Sequence, residues 1–74
     1  MNQIFKHYKG GHYRLLHIPD HTETRQKFVV YEQLYENQYP KGYVWTGPLD
    51  RFNEEIIYNN KVVLRFEKVD DVLN

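Results

Sequence analysis

Apolar and polar residues alternate along this chain in short stretches bounded by Gly, Pro and Asn. From His12 to Ile18, Tyr13 and Leu15 alternate with Arg14, and Leu16 and Ile18 then bring apolar character to the second face. This pattern predicts a strand that is largely buried at its far end. Gly10-Gly11 ahead of it permits a tight turn with positive φ, while Pro19 behind it removes a ladder donor and ends or bends the strand. Residues 27 to 35 admit two readings. Asp20 to Glu23 resembles a capping box, and Tyr31, Leu34 and Tyr35 could form a helical stripe. Against the helix stand Val29-Val30 between Phe28 and Tyr31, which is β-rich chemistry. The alternation also sets Phe28, Val30 and Leu34 opposite Tyr31 and Tyr35. A strand is favoured, with Asp20 to Gln26 as the hairpin connection.

Three further strands are predicted: Gly42 to Thr46, then Glu55 to Tyr58 and Lys61 to Phe66, the last two joined at Asn59-Asn60. That dipeptide tolerates the positive φ of a type I′ turn. Pro48 to Phe52 is too short for a stable helix and predicts one 3₁₀ turn that brings Leu49 and Phe52 to the same side. Trp45-x-x-Pro48-Leu49-x-x-Phe52 thus predicts a lock that plugs the end of a compact barrel or roll. The fold class is mostly β, with about five short antiparallel strands. No repeat, low-complexity run or linker divides the sequence, so residues 1–74 read as a single β domain. Its core spans about 4–67, and 68–74 read as a loose C-terminal tail.

Length sharpens this picture, because a 74-residue chain supports one core and buries only about 60% of its unfolded surface. With no cysteine, neither a disulfide framework nor a thiolate zinc site can reinforce that core. Twelve aromatic residues, seven of them tyrosine, are what remains; they supply large buried areas with few rotatable bonds. The absence of cysteine fits a reducing compartment, and no apolar stretch suits a membrane span or a secretory signal. The location expected is therefore cytoplasmic, with no membrane partner. Formal net charge is zero, yet residues 1–27 hold five Lys/Arg against two acids, together with all four histidines. A basic face is one outcome and ordinary scattering of surface charge is the other, since nucleic-acid domains usually carry a strong basic excess.

Candidate chemistry is sparse. His17-x-x-x-His21 separates its imidazoles by roughly 13 Å along a strand, too far to share one metal ion, and no metal or cofactor is expected. His21 and Glu23 would face the same way about 6.6 Å apart in an extended chain, suited to gripping a polar ligand or activating a water. The bland alternative is a polar turn bonded to its own backbone. There is no serine, and Gly10-Gly11 is too sparse for a phosphate loop. Tyr31, Tyr35, Tyr39, Tyr43 and Trp45 crowd a short window: Trp45 and most of these tyrosines are either core and loop cover or a recognition platform, with Tyr39 and Tyr43 expected to be the most exposed.

The whole pattern resembles the small bacterial family known as domain of unknown function 1653. The resemblance is carried by His7-Tyr8-Lys9-Gly10 with Tyr13, by His21-x-Glu23-Thr24, and by Val29-Val30-Tyr31 leading to Leu34-Tyr35. Trp45-x-x-Pro48-Leu49-x-x-Phe52 and Arg65-Phe66 complete it. It covers nearly the full chain and implies an SH3-like barrel or roll, but no activity, since the family's function is unknown. Two departures stand out: the family commonly has arginine where Gly47 precedes Pro48, and the loop from Glu36 to Tyr43 looks longer.

Carried over residue by residue, the resemblance implies as ligand-binding candidates the polar His7, Lys9, His21, Glu23 and Arg65 and the aromatic Tyr31 and Trp45. The leading reading is a binding module for a peptide, a nucleic-acid segment or a small polar ligand, without catalysis, present as a monomer or weak homodimer. The alternatives are a small enzyme with a His21/Glu23 acid–base pair, or a structural subunit pairing with a protein partner through a sheet edge such as Glu55 to Tyr58.

Overall fold

A computed structural model describes residues 3–69. Strands β1 (Ile4–His7), β2 (His12–His17), β3 (Phe28–Gln33) and β4 (Val44–Pro48) lead into a single helical turn, α1 (Leu49–Phe52). Strands β5 (Glu55–Tyr58), β6 (Lys61–Leu64) and β7 (Phe66–Val69) follow. They form a five-stranded antiparallel sheet in the order β4-β3-β2-β1-β7 and a separate β5-β6 pair.

The mostly-β class is therefore as expected, but the barrel is not closed. The large sheet ends at β4 on one side and β7 on the other, without pairing between them among the described residues. The predicted strand Lys61 to Phe66 is in fact two, divided at Arg65. There the chain changes partner: the Arg65 N–H donates to the Glu54 carbonyl at 2.8 Å, whereas its carbonyl accepts from the Tyr8 N–H at 3.0 Å. Beyond this switch β7 pairs with β1, setting His7 opposite Phe66 and Ile4 opposite Val69. The last strand thus reaches past the expected core limit at residue 67, and the rest of the tail lies outside the described residues.

Within residues 27 to 35 the chain forms a strand, not a helix, but only over Phe28–Gln33, with Leu34 and Tyr35 already in the loop; β2 ends before Pro19 after a register shift between Leu15 and His17. Asn59 and Asn60 adopt φ values of 54° and 63°, as a type I′ turn needs. The turn after Pro48 is α-helical, closed by the Asn53 N–H on the Leu49 carbonyl at 3.0 Å. A looser i→i−3 bond of 3₁₀ type runs from the Glu54 N–H to the Arg51 carbonyl at 3.3 Å.

Register assigns side chains to faces, because directly opposed residues in an antiparallel sheet point the same way. Phe5 opposes Tyr13, Tyr13 opposes Gln33, and Leu15 opposes Tyr31. Tyr31 in turn opposes Trp45, and Val29 opposes Gly47. One face is therefore aromatic from end to end. Buried Leu15, Val29, Phe52 and Phe66 form its core, with Phe5, Tyr13, Tyr31 and Leu49 packed around them. Phe52 arrives from α1 and stacks on Phe66 at 4.3 Å with an interplanar angle of 12°, and Phe5 meets it edge-on at 4.9 Å. Leu49 and Phe52 lie on the same side, as expected, but they cover one face of an open sheet and not the end of a barrel. Trp45 takes no part in this cover, packing instead against Tyr39 and Tyr43 at ring distances of 4.9 and 5.0 Å.

Two glycines separate backbone demand from side-chain room. Gly11 has φ +84°, and a Cβ placed there would lie 2.6 Å from the Tyr35 ring. Gly47 sits in β4 with nothing within 4 Å of its Cβ position. Gly11→Ala should therefore destabilise the domain by about 2 kcal/mol. Gly47→Ala should stabilise it by roughly 0.5 kcal/mol through the lower entropy of the unfolded chain. Urea unfolding of the two variants checks both signs, and equal effects would contradict this assignment.

Candidate functional site

Because α1 covers only part of the aromatic face, a concavity of about 300 Å³ remains, lined by His7, Tyr13, Tyr31, Trp45, Arg65 and Phe66. A wider recess of about 640 Å³ adjoins it across His7 and Tyr13 and is lined further by Lys9, Gly10, Gly11, His12 and Tyr35. His7, Tyr31, Trp45 and Arg65 therefore share one hollow, and Lys9 borders the adjoining lobe. No carboxylate lines either.

Sequence distance is bridged by pairing. β1 carries His7 and β7 carries Phe66, and their register brings the His7 ring edge-on to Phe66 at 4.9 Å. The Lys9 N–H donates to His7 Nδ1 at 3.2 Å, so the neutral imidazole carries its proton on Nε2. Partial burial holds the His7 pKa below its ordinary value, and the positive charges of Arg65 and Lys9 lower it further. Arg65 donates from Nη2 to Glu54 Oε1 at 3.2 Å, while its buried Nε has no hydrogen-bond partner among the described residues. Tyr31 meets Tyr13 and Phe66 edge-on at 5.3 and 5.4 Å, and burial pushes its phenol pKa up. Tyr13 shares a 2.7 Å hydroxyl–hydroxyl hydrogen bond with Tyr35, which adds to burial in raising its own pKa. At neutral pH these phenols stay protonated, so the hollow offers hydrogen-bond donors and aromatic edges but no anionic nucleophile.

The residue that organises this region is Gln33, which the sequence reading passed over. Its side chain is 1% exposed. Nε2 donates toward the carbonyls of Tyr35 at 2.9 Å and Tyr39 at 3.0 Å and toward Asn37 Oδ1 at 3.1 Å. Its Oε1 accepts the Trp45 indole N–H at 3.2 Å. Two amide hydrogens serving three acceptors means that one is shared. The long loop and Trp45 are thus pinned to the same buried amide. The signal available in sequence was parity: Gln33 follows Val29 and Tyr31 at period two and so shares their inward face. Of the two aromatics expected to be most exposed, Tyr43 is exposed and Tyr39 is half-buried against Trp45.

His21 and Glu23 do not line this hollow. Residues 22–24 form a turn, and Arg25 takes φ 63°, so the chain here is not extended. His21 Nδ1 accepts the backbone N–H groups of Glu23 at 3.2 Å and Thr24 at 3.4 Å, with both side chains exposed. No hydrogen bond joins the two side chains. The imidazole acts on its own turn and leans on Phe28 at a ring distance of 5.6 Å. Among the described residues no three His, Asp or Glu side chains gather as metal ligands, and no helix is long and apolar enough to cross a membrane.

Two outcomes follow from this geometry. Gln33→Leu strips the amide from the Trp45 N–H and from two loop carbonyls, and should cost about 2–3 kcal/mol. Urea unfolding measures that loss, and Trp45 emission reports release of the ring. His7 binds its proton less readily folded than unfolded, so its contribution to stability is complete above the ordinary value of about 6.5. It is lost as pH falls through the lower folded value. The stability of His7→Gln measured by urea between pH 8 and pH 5 should show a shallower acid-side decline than the parent.

A family model described as protein of unknown function (DUF1653) matches residues 3–68. A crystal structure of a DUF1653 protein from Bordetella bronchiseptica is similar to this fold, with a TM-score of 0.83 and 30% sequence identity. That match covers 100% of this chain and 92% of the other. No curated protein matches. Seven antiparallel strands, the turn that delivers Phe52 to the aromatic face and the match over residues 3–68 agree, and this chain belongs to the DUF1653 family.

Proposed function

We propose that this protein is a small bacterial, cytoplasmic binding module, one β domain that holds its ligand in the hollow on the aromatic face of β1, β2, β3, β4 and β7 without transforming it. The observation that supports this reading is the gathering of His7, Tyr31, Trp45 and Arg65 around one concavity, with Lys9 on its border. A neutral imidazole, a guanidinium and protonated phenols suit the recognition of a polar, acceptor-bearing ligand, and the aromatic edges suit a flat one. Catalysis finds less support. His21 and Glu23 lack a mutual hydrogen bond and lie in an exposed turn, and the hydroxyls of the hollow are phenols held in their protonated state.

Trp45 is the sole tryptophan, so its indole N–H resonance is a single resolved reporter of the hollow. Titration of the labelled protein with RNA, single-stranded DNA, a peptide pool and a set of small polar metabolites should move that signal and the amides of Tyr31 and Phe66 for one class. If every class leaves all three at their starting positions, the hollow is not a binding site.

A further inference from the structure

The two lobes differ in chemistry, and the difference constrains the ligand. The smaller lobe holds Tyr31, Trp45 and Phe66, whereas the larger holds Lys9, His12 and the Gly10-Gly11 turn. His7 and Tyr13 border both, so a ligand long enough to cross them would touch each. Lys9 is exposed and makes no ion pair among the described residues; its Nζ sits 5.8 Å from the centre of the Tyr8 ring. At Gly10, with φ +97°, nothing lies within 4 Å of a Cβ position, so the turn is open to a group approaching its backbone. Arg65 spends one of its five N–H donors on Glu54 and leaves the buried Nε unpaired. The pair of lobes is thus cationic and donor-rich with no carboxylate, beside an aromatic wall.

We infer, resting on the binding-module reading, that the hollow takes a planar heterocycle carrying a phosphate, the ring against Tyr31 and Trp45 and the phosphate beside Lys9, His7 and His12. The aromatic lobe supplies edge and face contacts to a ring. A phosphate answers the positive charge of Lys9, which has no ion-pair partner among the described residues, and the protonated Nε2 of His7 donates to it. The smaller lobe, at about 300 Å³, lies at the lower bound of ligand pockets, the size of one ring system and not of several. A zero net charge disfavours a long polyanion and points to a single nucleotide-sized unit.

The test is an NMR titration of the full chain with AMP, adenosine, ribose 5-phosphate and a 5′-phosphorylated tetranucleotide, read at the Trp45 indole N–H and at the Gly10 and Gly11 amides. AMP should move all three signals and bind at least tenfold more tightly than adenosine or ribose 5-phosphate. Lys9→Gln, an exposed substitution, should weaken AMP at least fivefold and leave adenosine unchanged. A tetranucleotide that binds no tighter than AMP supports a free nucleotide as the source. One that binds tenfold tighter supports the same chemistry at a strand end. Equal binding of AMP and adenosine, or AMP binding indifferent to Lys9→Gln, would overturn the phosphate lobe. If AMP moves nothing while a peptide or another metabolite shifts Trp45, this inference fails and the binding module stands; if no compound shifts Trp45, both fail.

Discussion

Gln33 places a primary amide in the interior of the sheet, where almost none of its surface meets water and every hydrogen bond must come from the protein. It draws those bonds from Tyr35, Asn37 and Tyr39 on one side and from Trp45 on the other. The loop between β3 and β4 therefore has no independent conformation: its carbonyls turn inward because the amide is there to receive them. The Gly42 N–H, donating to the Gln33 carbonyl at 2.7 Å, closes the same loop from the backbone. With the loop set, Tyr39 and Tyr43 form the outer wall that holds Trp45 upright beside the hollow. An apolar residue at position 33 would be compatible with the strand but would leave this arrangement without a cause.

The aromatic face is divided between two tasks by the reach of one helical turn. Phe52 and Leu49 cover the end of the face near Val29 and Leu15, where Val29, Leu15 and Phe52 are all buried. They do not extend to Trp45, and Arg65 and His7 bound the gap from the far side. Where this gap meets the wider recess, the phenols of Tyr13 and Tyr35 bond each other, satisfying two hydroxyls at the margin of the core. Polar groups are thus brought to an aromatic floor without any of them being forced into the core proper, Gln33 excepted.

Local pattern was enough to read most of the strands. Period-two alternation around Tyr13 and Leu15, the β-branched pair Val29-Val30 and the Asn59-Asn60 turn all act within a few residues, and each is where alternation and turn chemistry set it. β1 escaped because Ile4–His7 runs two apolar residues and then two polar ones, with no alternation to read, and one of its partners lies at the far end of the chain. The open sheet escaped for a related reason: the exchange of partners at Arg65 depends on which strand edge is free in three dimensions. The same exchange assembles half of the hollow by bringing Arg65 and Phe66 to His7. His21 and Glu23 went the other way, since their alignment assumed an extended chain and Arg25, in a left-handed conformation, curls the segment on itself.

The β5-β6 hairpin stands apart from all of this. It is tied to the main sheet through the Tyr8–Tyr58 ring contact at 5.0 Å and the Glu54–Arg65 bonds at its base. Its outer face leaves Ile57 77% and Val62 66% exposed. Its Asn59-Asn60 tip is exposed and belongs to neither the core nor the hollow. Backbone of this kind tolerates interruption, which makes the tip a natural point for inserting a reporter domain or reopening the chain by circular permutation, since neither operation touches Gln33 or the aromatic face.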